Sequence, residues 1–179
     1  SISWNKSIKE LHKSENIGNY KSNFYQRLAY DEIFSTFLVN SEIRKKIKKI
    51  KKKNKIINFN KQNLLIKNLD FSLTNDQKIA LDEINKDLSS SKKMFRLLQG
   101  DVGSGKTIVS LIAALNTLNS GFQVAIMAPT EILARQHFNL AKKIFPKNIN
   151  LELISGKSEY RKKKEILKNL EINKIDIIF

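Results

Sequence analysis

The sequence predicts an α/β fold, in which helices flank a parallel sheet and a helical segment precedes that sheet. From Phe71 onward, short apolar runs alternate with segments whose apolar residues follow helical spacing. The apolar runs are continuous, which is typical of parallel strands covered on both faces. A glycine-rich loop at residues 100–107 separates one such run from the helix that follows it. Hydrophobic residues make up 41% of the 179 residues, which is enough to form the core of one domain with an additional segment.

Residues 1–69 are predicted to form a helical segment that ends in a connector rich in Lys and Asn. Trp4, Ile8 and Leu11 follow helical spacing and predict a short first helix. A longer helix is predicted from a wide apolar stripe, which comprises Phe24, Leu28, Ala29, Ile33, Phe34, Phe37 and Leu38. This helix is expected to continue into the basic run at 44–53, and the connector is expected at 54–70.

The basic run at residues 44–53 has two interpretations. It either contacts a DNA backbone through its positive charges or forms a solvated helix face. The solvated helix face is favoured, because Lys, Asn and Ile are abundant throughout the chain. An AT-rich genome produces this composition regardless of the protein's function. The net charge of +16 therefore favours nucleic acid as a partner only weakly.

Residues 70–179 are predicted to alternate between helices and strands. Strands are expected at about 94–99, 123–128 and 151–154, with a fourth interrupted at residues 174–179. Helices are expected at about 75–90, 106–119, 131–144 and 158–170. Gly121 is expected to stop the second of these helices, because glycine readily adopts the left-handed conformation that ends many helices. Ligands of such sheets bind at the carboxyl ends of the strands, so the site is expected there.

A phosphate-binding loop is the most specific pattern in the chain. It matches G-x-x-x-x-G-K-[ST] and consists of Gly100, Asp101, Val102, Gly103, Ser104, Gly105, Lys106 and Thr107. Its glycines allow a tight turn, and its N–H groups point toward an anion at the positive end of the following helix. Lys106 is expected to reach the β- and γ-phosphates, and the Thr107 hydroxyl to ligate Mg²⁺. The pattern therefore predicts a nucleoside triphosphate as the ligand, with Lys106 and Thr107 as the catalytic residues.

The composition excludes several classes of site and protein. No cysteine is present, which rules out a disulfide framework and a Cys-based zinc site and agrees with a reducing cytoplasm. No apolar run reaches the length needed to span a membrane, so no membrane partner is expected. The chain begins at Ser1 and stops within a predicted strand, so we expect it to be a fragment of a longer protein.

Gln77 has two interpretations of equal weight. It precedes the phosphate-binding loop, where a glutamine is able to read an adenine edge, since its amide both donates and accepts a hydrogen bond. The spacing Thr74-x-x-Gln77 is also typical of a capping box at the start of a helix. On spacing alone, both alternatives stay open.

Pro129, Thr130 and Glu131 follow the second predicted strand. Proline makes the exit from that strand rigid, and Thr130 is expected to cap the next helix. The first N–H groups of that helix either hold a phosphate of a nucleic acid or belong to an ordinary capped turn.

Ser155, Gly156 and Lys157 form a second small-residue turn, after the third predicted strand. This turn either contacts a DNA backbone or is an ordinary loop, with equal weight for both. His137 is expected to pack against other side chains or to face solvent rather than to take part in catalysis.

Together these motifs resemble superfamily 2 helicases and, more narrowly, the RecG family of bacterial ATP-dependent DNA helicases. The likeness is carried by residues 71–74 with Gln77, by residues 96–107, by residues 127–134 with Gln136 and His137, and upstream by Leu11, His12 and residues 27–32. It covers most of the chain except the stretch 45–68. The transcription-repair coupling translocase shares the phosphate-binding loop, but the flanking residues are more similar to RecG.

The resemblance implies that residues 70–179 are the N-terminal part of a RecA-like motor lobe, and that ATP and Mg²⁺ are its cofactors. Residues 1–69 then follow the family's wedge domain. Phe71 and Gln77 are implied to bind the adenine, with helix capping as a second role of Gln77. The residues that the resemblance assigns to DNA contacts are Pro129, Thr130, Glu131, Ser155 and Gly156.

The implied activity is that of an ATP-dependent DNA helicase or translocase that remodels replication forks and Holliday junctions in recombination and repair. The expected partner is branched or duplex DNA, with no small-molecule substrate other than ATP, and the expected form is a monomer in the bacterial cytoplasm. The family's Asp-Glu box and the second lobe with its arginine finger have no counterpart in the sequence, so the fragment alone is expected to be inactive. Alternatives are a transcription-repair coupling translocase, a small-molecule P-loop kinase and a non-catalytic basic DNA-binding module.

Overall fold

The computed structural model describes residues 2–13, 20–156 and 158–179. Its contacts divide the chain into two compact units, Ser1–Ile50 and Lys51–Phe179. This division falls inside the segment 1–69, whose assignment as one functional domain stays a prediction. Among the described residues, no helix combines the length and the apolar character that crossing a membrane requires.

The first unit contains helices α1 (Trp4–Leu11) and α2 (Asn23–Lys49). Both were predicted, and α2 continues into the basic run as expected, although it ends at Lys49. Serine side chains cap both helices: Ser3 accepts a hydrogen bond from the Lys6 N–H and Ser22 accepts one from the Tyr25 N–H. The apolar stripe of α2 is largely exposed within the described structure, at Ile33, Phe34, Phe37 and Leu38.

The second unit combines five helices with three short strands among its described residues. The helices are α3 (Phe59–Lys67), α4 (Asn75–Ser89), α5 (Lys106–Leu118), α6 (Glu131–Ile144) and α7 (Tyr160–Glu171). The strands are β1 (Val124–Ala125), β2 (Leu151–Glu152) and β3 (Ile177–Ile178). Four of these helices and all three strands lie where the periodicity predicts them.

Helix α3 was not expected, because it lies in the segment predicted to be a connector. Asn58 caps it by accepting a hydrogen bond from the Lys61 N–H, and its Leu65 is buried in the core of the unit. This Asn-rich segment therefore contains a helix that packs into the core of the second unit.

The three strands form a parallel sheet in the order β1-β3-β2, which confirms the predicted α/β class. Ile177 of the central strand pairs with Val124 on one side and with Leu151 on the other, and it is fully buried. Because the strands are parallel, the loops that follow β1 and β2 both leave from the same edge of the sheet.

Helix α5 is the most buried element of the described structure. Val109, Leu111 and Ile112 are almost completely inaccessible to solvent, and this apolar side packs against α4, α3 and the sheet. The helix ends at Leu118, and Gly121 follows with a φ of +80°, as predicted for the residue that stops it.

The prediction of a buried strand at residues 94–99 is wrong. No strand forms there, and the side chains of Phe95 and Leu97 are 60% and 77% exposed. A strand requires a hydrogen-bonding neighbour, but a cleft of about 400 Å³ lies between this segment and β1, lined by Leu98 and Val124 among others.

Arg96 attaches the segment 94–99 to helix α4 instead. Its guanidinium donates a 2.8 Å hydrogen bond from Nε to Asp87 and forms a second ion pair with Glu83. The hydrogen bond to Asp87 raises the pKa of Arg96 above its ordinary value. The entry to the phosphate-binding loop is therefore held by ion pairs.

Candidate functional site

The phosphate-binding loop connects the segment 94–99 to the start of α5. Gly103 and Gly105 have φ values of +82° and +79°, in the left-handed region that side chains rarely adopt. A β-carbon at Gly105 would lie only 2.3 Å from Nε2 of Gln77, and one at Gly100 would lie 2.8 Å from Oγ of Ser104. The positive φ therefore favours glycine at position 105, and a β-carbon there would also displace the Gln77 amide.

The first turn of α5 presents unpaired backbone donors. Gly105 is the N-cap of this helix and has no side chain to cap it. Within residues 20–156, the N–H groups of Gly105, Lys106 and Thr107 make no hydrogen bond to the protein. Adjacent N–H groups at the positive end of a helix dipole are a donor set that fits a phosphate.

The ammonium group of Lys106 is bound to the loop itself. Its Nζ donates hydrogen bonds of 2.7 Å to the Gly100 carbonyl and 2.6 Å to the Asp101 carbonyl, and it lies 3.5 Å from Oγ of Ser104. An ammonium has three donors, so these contacts account for all of them. A phosphate that binds Lys106 must therefore displace at least one contact within the loop.

Gln77 links helix α4 to the phosphate-binding loop. Its Oε1 accepts a hydrogen bond from the Thr74 N–H at 2.9 Å, and Oγ1 of Thr74 accepts one from the Gln77 N–H, which completes the capping box. Its Nε2 donates to the Ser104 carbonyl at 2.9 Å. One N–H and one lone pair of the amide remain, so the geometry is compatible with the adenine interpretation as well. Phe71, which precedes Gln77 by a few residues in the sequence, has a half-exposed side chain.

A cleft of about 280 Å³ lies beside the start of α5. Its lining residues are Leu98, Lys106, Thr107, Ser110, Leu111, Ile126, Met127 and His137. The sequence favoured a packing or solvent-facing role for His137, whereas the structure places it on the same cleft as the two predicted catalytic residues. No carboxylate is among the residues that line this cleft.

The larger clefts lie elsewhere. One of about 750 Å³ is found at the opposite edge of the sheet, where Asn150 and Lys174 line it next to the amino ends of β2 and β3. None of the predicted site residues lines that cleft, so its size does not make it the functional centre.

The residues predicted to contact DNA after β1 form a capped helix start. Oγ1 of Thr130 accepts a hydrogen bond from the Leu133 N–H at 3.3 Å, as expected. Glu131 lies in the first turn and forms an ion pair of 2.8 Å with Arg135. This pairing offsets a negative charge that would otherwise repel a phosphate.

The turn after β2 is closed by serine side chains. The Ser155 N–H donates a 3.0 Å hydrogen bond to Oγ of Ser158, and Nζ of Lys163 donates to the Gly156 carbonyl at 2.9 Å. Lys157, which was predicted to belong to this turn, lies outside the described residues. The turn and the start of α6 follow the carboxyl ends of β2 and β1, which lie at one edge of the sheet.

No group of three or more His, Asp or Glu side chains that could hold a metal ion occurs in the part of the chain that the structure describes. A divalent cation at the phosphate-binding loop would therefore have to depend on hydroxyl ligands such as Thr107 and on the ligand's own oxygens.

Residues 74–179 match the family model described as DEAD/DEAH box helicase. The chain is 44% identical over 154 residues to the ATP-dependent DNA helicase RecG of Thermotoga maritima, with 86% of this chain and 20% of that protein covered. It is 37% identical over 177 residues to the RecG of Aquifex aeolicus, with 96% and 22% covered. For the RecG of Borreliella burgdorferi, identity is 50% over 107 residues, with 59% and 16% covered.

The fold is similar to a solved structure described as RecG bound to a three-way DNA junction. The TM-score is 0.75 and the sequence identity is 42%, and the likeness covers 86% of this chain and 21% of that chain. This chain thus spans between 16% and 22% of the length of these relatives.

Proposed function

Because this chain belongs to the DEAD/DEAH box helicase family, we propose that it forms the ATP-binding part of a RecG-type DNA helicase. The observation that carries the proposal is the set of unpaired N–H groups at the start of α5, next to the Lys106 ammonium. This set occurs within the residues that match the family model. The relatives that are similar to this chain over 154 and 177 residues are named ATP-dependent DNA helicases.

Lys106 and Thr107 have the central roles in this proposal. The N–H groups of Gly105, Lys106 and Thr107 hold the phosphates, the Lys106 ammonium neutralises their charge, and the Thr107 hydroxyl ligates Mg²⁺. ATP supplies the phosphoanhydride bond whose hydrolysis drives the motor. The free N–H and lone pair of Gln77 bind the adenine edge, and the exposed ring of Phe71 packs against the base.

We propose that DNA binds at the edge of the sheet where β1 and β2 end. Pro129, Thr130 and Glu131 follow β1, and Ser155 and Gly156 follow β2. The backbone N–H groups of Thr130, Glu131 and Gly156 suit contacts with phosphates, which position a motor without reading sequence. Pro129 has no N–H and contributes a rigid turn. Branched DNA is the proposed substrate, supported by the likeness to a RecG structure bound to a three-way junction.

Hydrolysis requires groups that the cleft beside α5 does not contain. A carboxylate must position Mg²⁺ and the attacking water, and an arginine from a second lobe can accelerate phosphoryl transfer by about 10³–10⁵. Since this chain spans about a fifth of the length of its relatives, we propose that other parts of the whole protein supply both. We also propose that the whole protein acts as a monomer in the bacterial cytoplasm.

Titration of the chain with a fluorescent ATP analogue and Mg²⁺ tests the proposal. Lys106→Ala should weaken binding by about tenfold or more, because it removes a charge-assisted contact to phosphate. Lys147→Ala is the matched control: it removes the same charge from an exposed position on the cleft at the opposite edge. An equal loss of nucleotide affinity in the two variants would show that only the net charge matters. It would contradict the assignment of Lys106 as a phosphate-binding residue.

A further inference from the structure

Three amide side chains are buried together between helices α3, α4 and α5. They belong to Gln62, Asn85 and Asn116, which are 5%, 4% and 0% exposed. We call this group the amide triad. Each helix contributes one member, and the surrounding core residues are apolar.

The hydrogen bonds within the amide triad form a closed ring. Oε1 of Gln62 accepts hydrogen bonds from Nδ2 of Asn85 at 2.9 Å and from Nδ2 of Asn116 at 2.7 Å. Nδ2 of Asn116 also donates to Oδ1 of Asn85 at 2.8 Å. Both lone pairs of the Gln62 oxygen and both hydrogens of the Asn116 amide are therefore used. Directional bonds of this kind allow only one register between the three helices.

The amide triad is not an arrangement that maximises stability. Oδ1 of Asn116 is buried and has no hydrogen-bond partner among the described residues. A buried acceptor without a partner carries a desolvation cost, whereas apolar groups of the same shape in place of a polar cluster are often neutral or stabilising. The ring therefore provides a defined geometry rather than additional stability.

The geometry of α4 and α5 determines the candidate nucleotide site. Helix α4 begins at the capping box that contains Gln77, and α5 begins at Lys106. The contact between them is close, because Nε2 of Gln77 lies 2.9 Å from the Ser104 carbonyl and against the α-carbon of Gly105. A relative shift of about 1 Å between two helices is enough to break a hydrogen bond of this length.

We propose that Gln62, Asn85 and Asn116 are positioning residues for the nucleotide site: they fix α4 against α5 and thereby hold the Gln77 amide on the phosphate-binding loop. This inference rests on the proposed ATP-binding function. Gln62 precedes residues 74–179, which match the helicase family model. Helix α3 is thus an upstream element that acts on the conformation of the loop from the far ends of α4 and α5.

An all-apolar replacement separates positioning from stability. In the variant Gln62→Met/Asn85→Leu/Asn116→Leu all three amides are removed together, so no partner is left unsatisfied and the folded state should persist. Residue-resolved hydrogen exchange measured by NMR should then be about tenfold faster than in the parent chain at the hydrogen-bonded N–H groups of Thr74, Gln77 and Ser104, as local opening becomes easier. Leu115→Met changes the same core and keeps the amide triad, and it should leave exchange at these residues unchanged.

Wild-type exchange at the N–H groups of Thr74, Gln77 and Ser104 in the folded triple variant would overturn the inference. If the triple variant is poorly folded, Gln62→Met alone breaks two of the three bonds, although it leaves the Asn85 and Asn116 amides without that acceptor. Faster exchange at Thr74, Gln77 and Ser104 than in the rest of the second unit would then support the inference, and a uniform increase would overturn it. Affinity for the fluorescent ATP analogue should fall by about tenfold in step with faster exchange. Absence of nucleotide binding by the parent chain would refute the proposed function, while the exchange measurement would still decide the role of the amide triad.

Discussion

Nε2 of Gln77 donates a hydrogen bond to the Ser104 carbonyl at a distance of 2.9 Å. The same side chain closes the capping box of α4 through Oε1, so one amide stabilises the start of a helix and also contacts the phosphate-binding loop. The phosphate-binding loop and the first turn of α4 are therefore linked by a single side chain.

Replacing Gln77 separates its two contacts. Gln77→Ala removes both and should lower the free energy of unfolding by about 1 kcal/mol, as loss of a helix cap does. Gln77→Glu keeps an oxygen for the Thr74 N–H and loses the donor to Ser104. It should retain most of the stability and still bind the ATP analogue more weakly. Urea denaturation together with nucleotide titration measures the two effects, and equal nucleotide affinity in Gln77→Glu and the parent chain would count against a role for the donor.

Gly105→Ala should destabilise the chain more than Gly121→Ala. Both residues have φ near +80°, so both substitutions cost about 1–2 kcal/mol in backbone strain. A β-carbon at position 105 also meets Nε2 of Gln77 at 2.3 Å, whereas one at position 121 has no atom within 4 Å. The difference should be about 1 kcal/mol or more by denaturation. The difference between the two glycine substitutions should be smaller when Gln77→Ala is also present. A double-mutant cycle that shows no coupling between positions 77 and 105 would contradict the close contact.

Ile177→Ala should be strongly destabilising, because Ile177 is fully buried in the central strand between β1 and β2. Deletion of this much buried side chain costs about 2–5 kcal/mol. Phe95→Ala is the control from the segment that forms no strand. Its ring is 60% exposed, and the change should stay within about 0.5 kcal/mol. A large loss for Phe95→Ala would indicate that residues 94–99 are packed in solution.

The chain should not hydrolyse ATP even where it binds it. Residues that line the cleft beside Lys106 and Thr107 include no carboxylate that could position a water molecule. A phosphate-release assay with and without DNA should give the background rate for both the parent chain and Lys106→Ala. Turnover that depends on Lys106 would show that the chain has a catalytic group outside this cleft.

Features encoded over short distances were predictable from the sequence. The positive φ values of Gly103 and Gly105 and the capping box of Thr74 and Gln77 each depend on residues that are close together in the chain. The capping box is one of the two alternatives that the spacing of Thr74 and Gln77 left open. Helices α4, α5, α6 and α7 follow from periodicity, since each has an apolar face toward the core. The nucleotide- and DNA-binding roles of the site residues stay predictions.

Features that depend on distant residues were not predictable in the same way. Whether residues 94–99 become a strand depends on a hydrogen-bonding neighbour, which hydrophobicity does not reveal. The bond from Gln77 to Ser104 spans 27 positions. Helix α3 was missed because the Asn-rich segment that contains it was interpreted as a connector. Asn116 within the apolar helix α5 was a signal that a polar partner lies nearby.

The contacts of Lys106 have a consequence for the affinity of any anion that enters this loop. Because its ammonium already satisfies the Gly100 and Asp101 carbonyls, binding is a substitution reaction in which incoming oxygens replace internal ones. The measured affinity is the difference between two sets of hydrogen bonds. Weakly basic anions should therefore compete poorly with the loop's own carbonyls, whereas a polyphosphate, which contacts the N–H groups of α5 at the same time, gains enough to displace them.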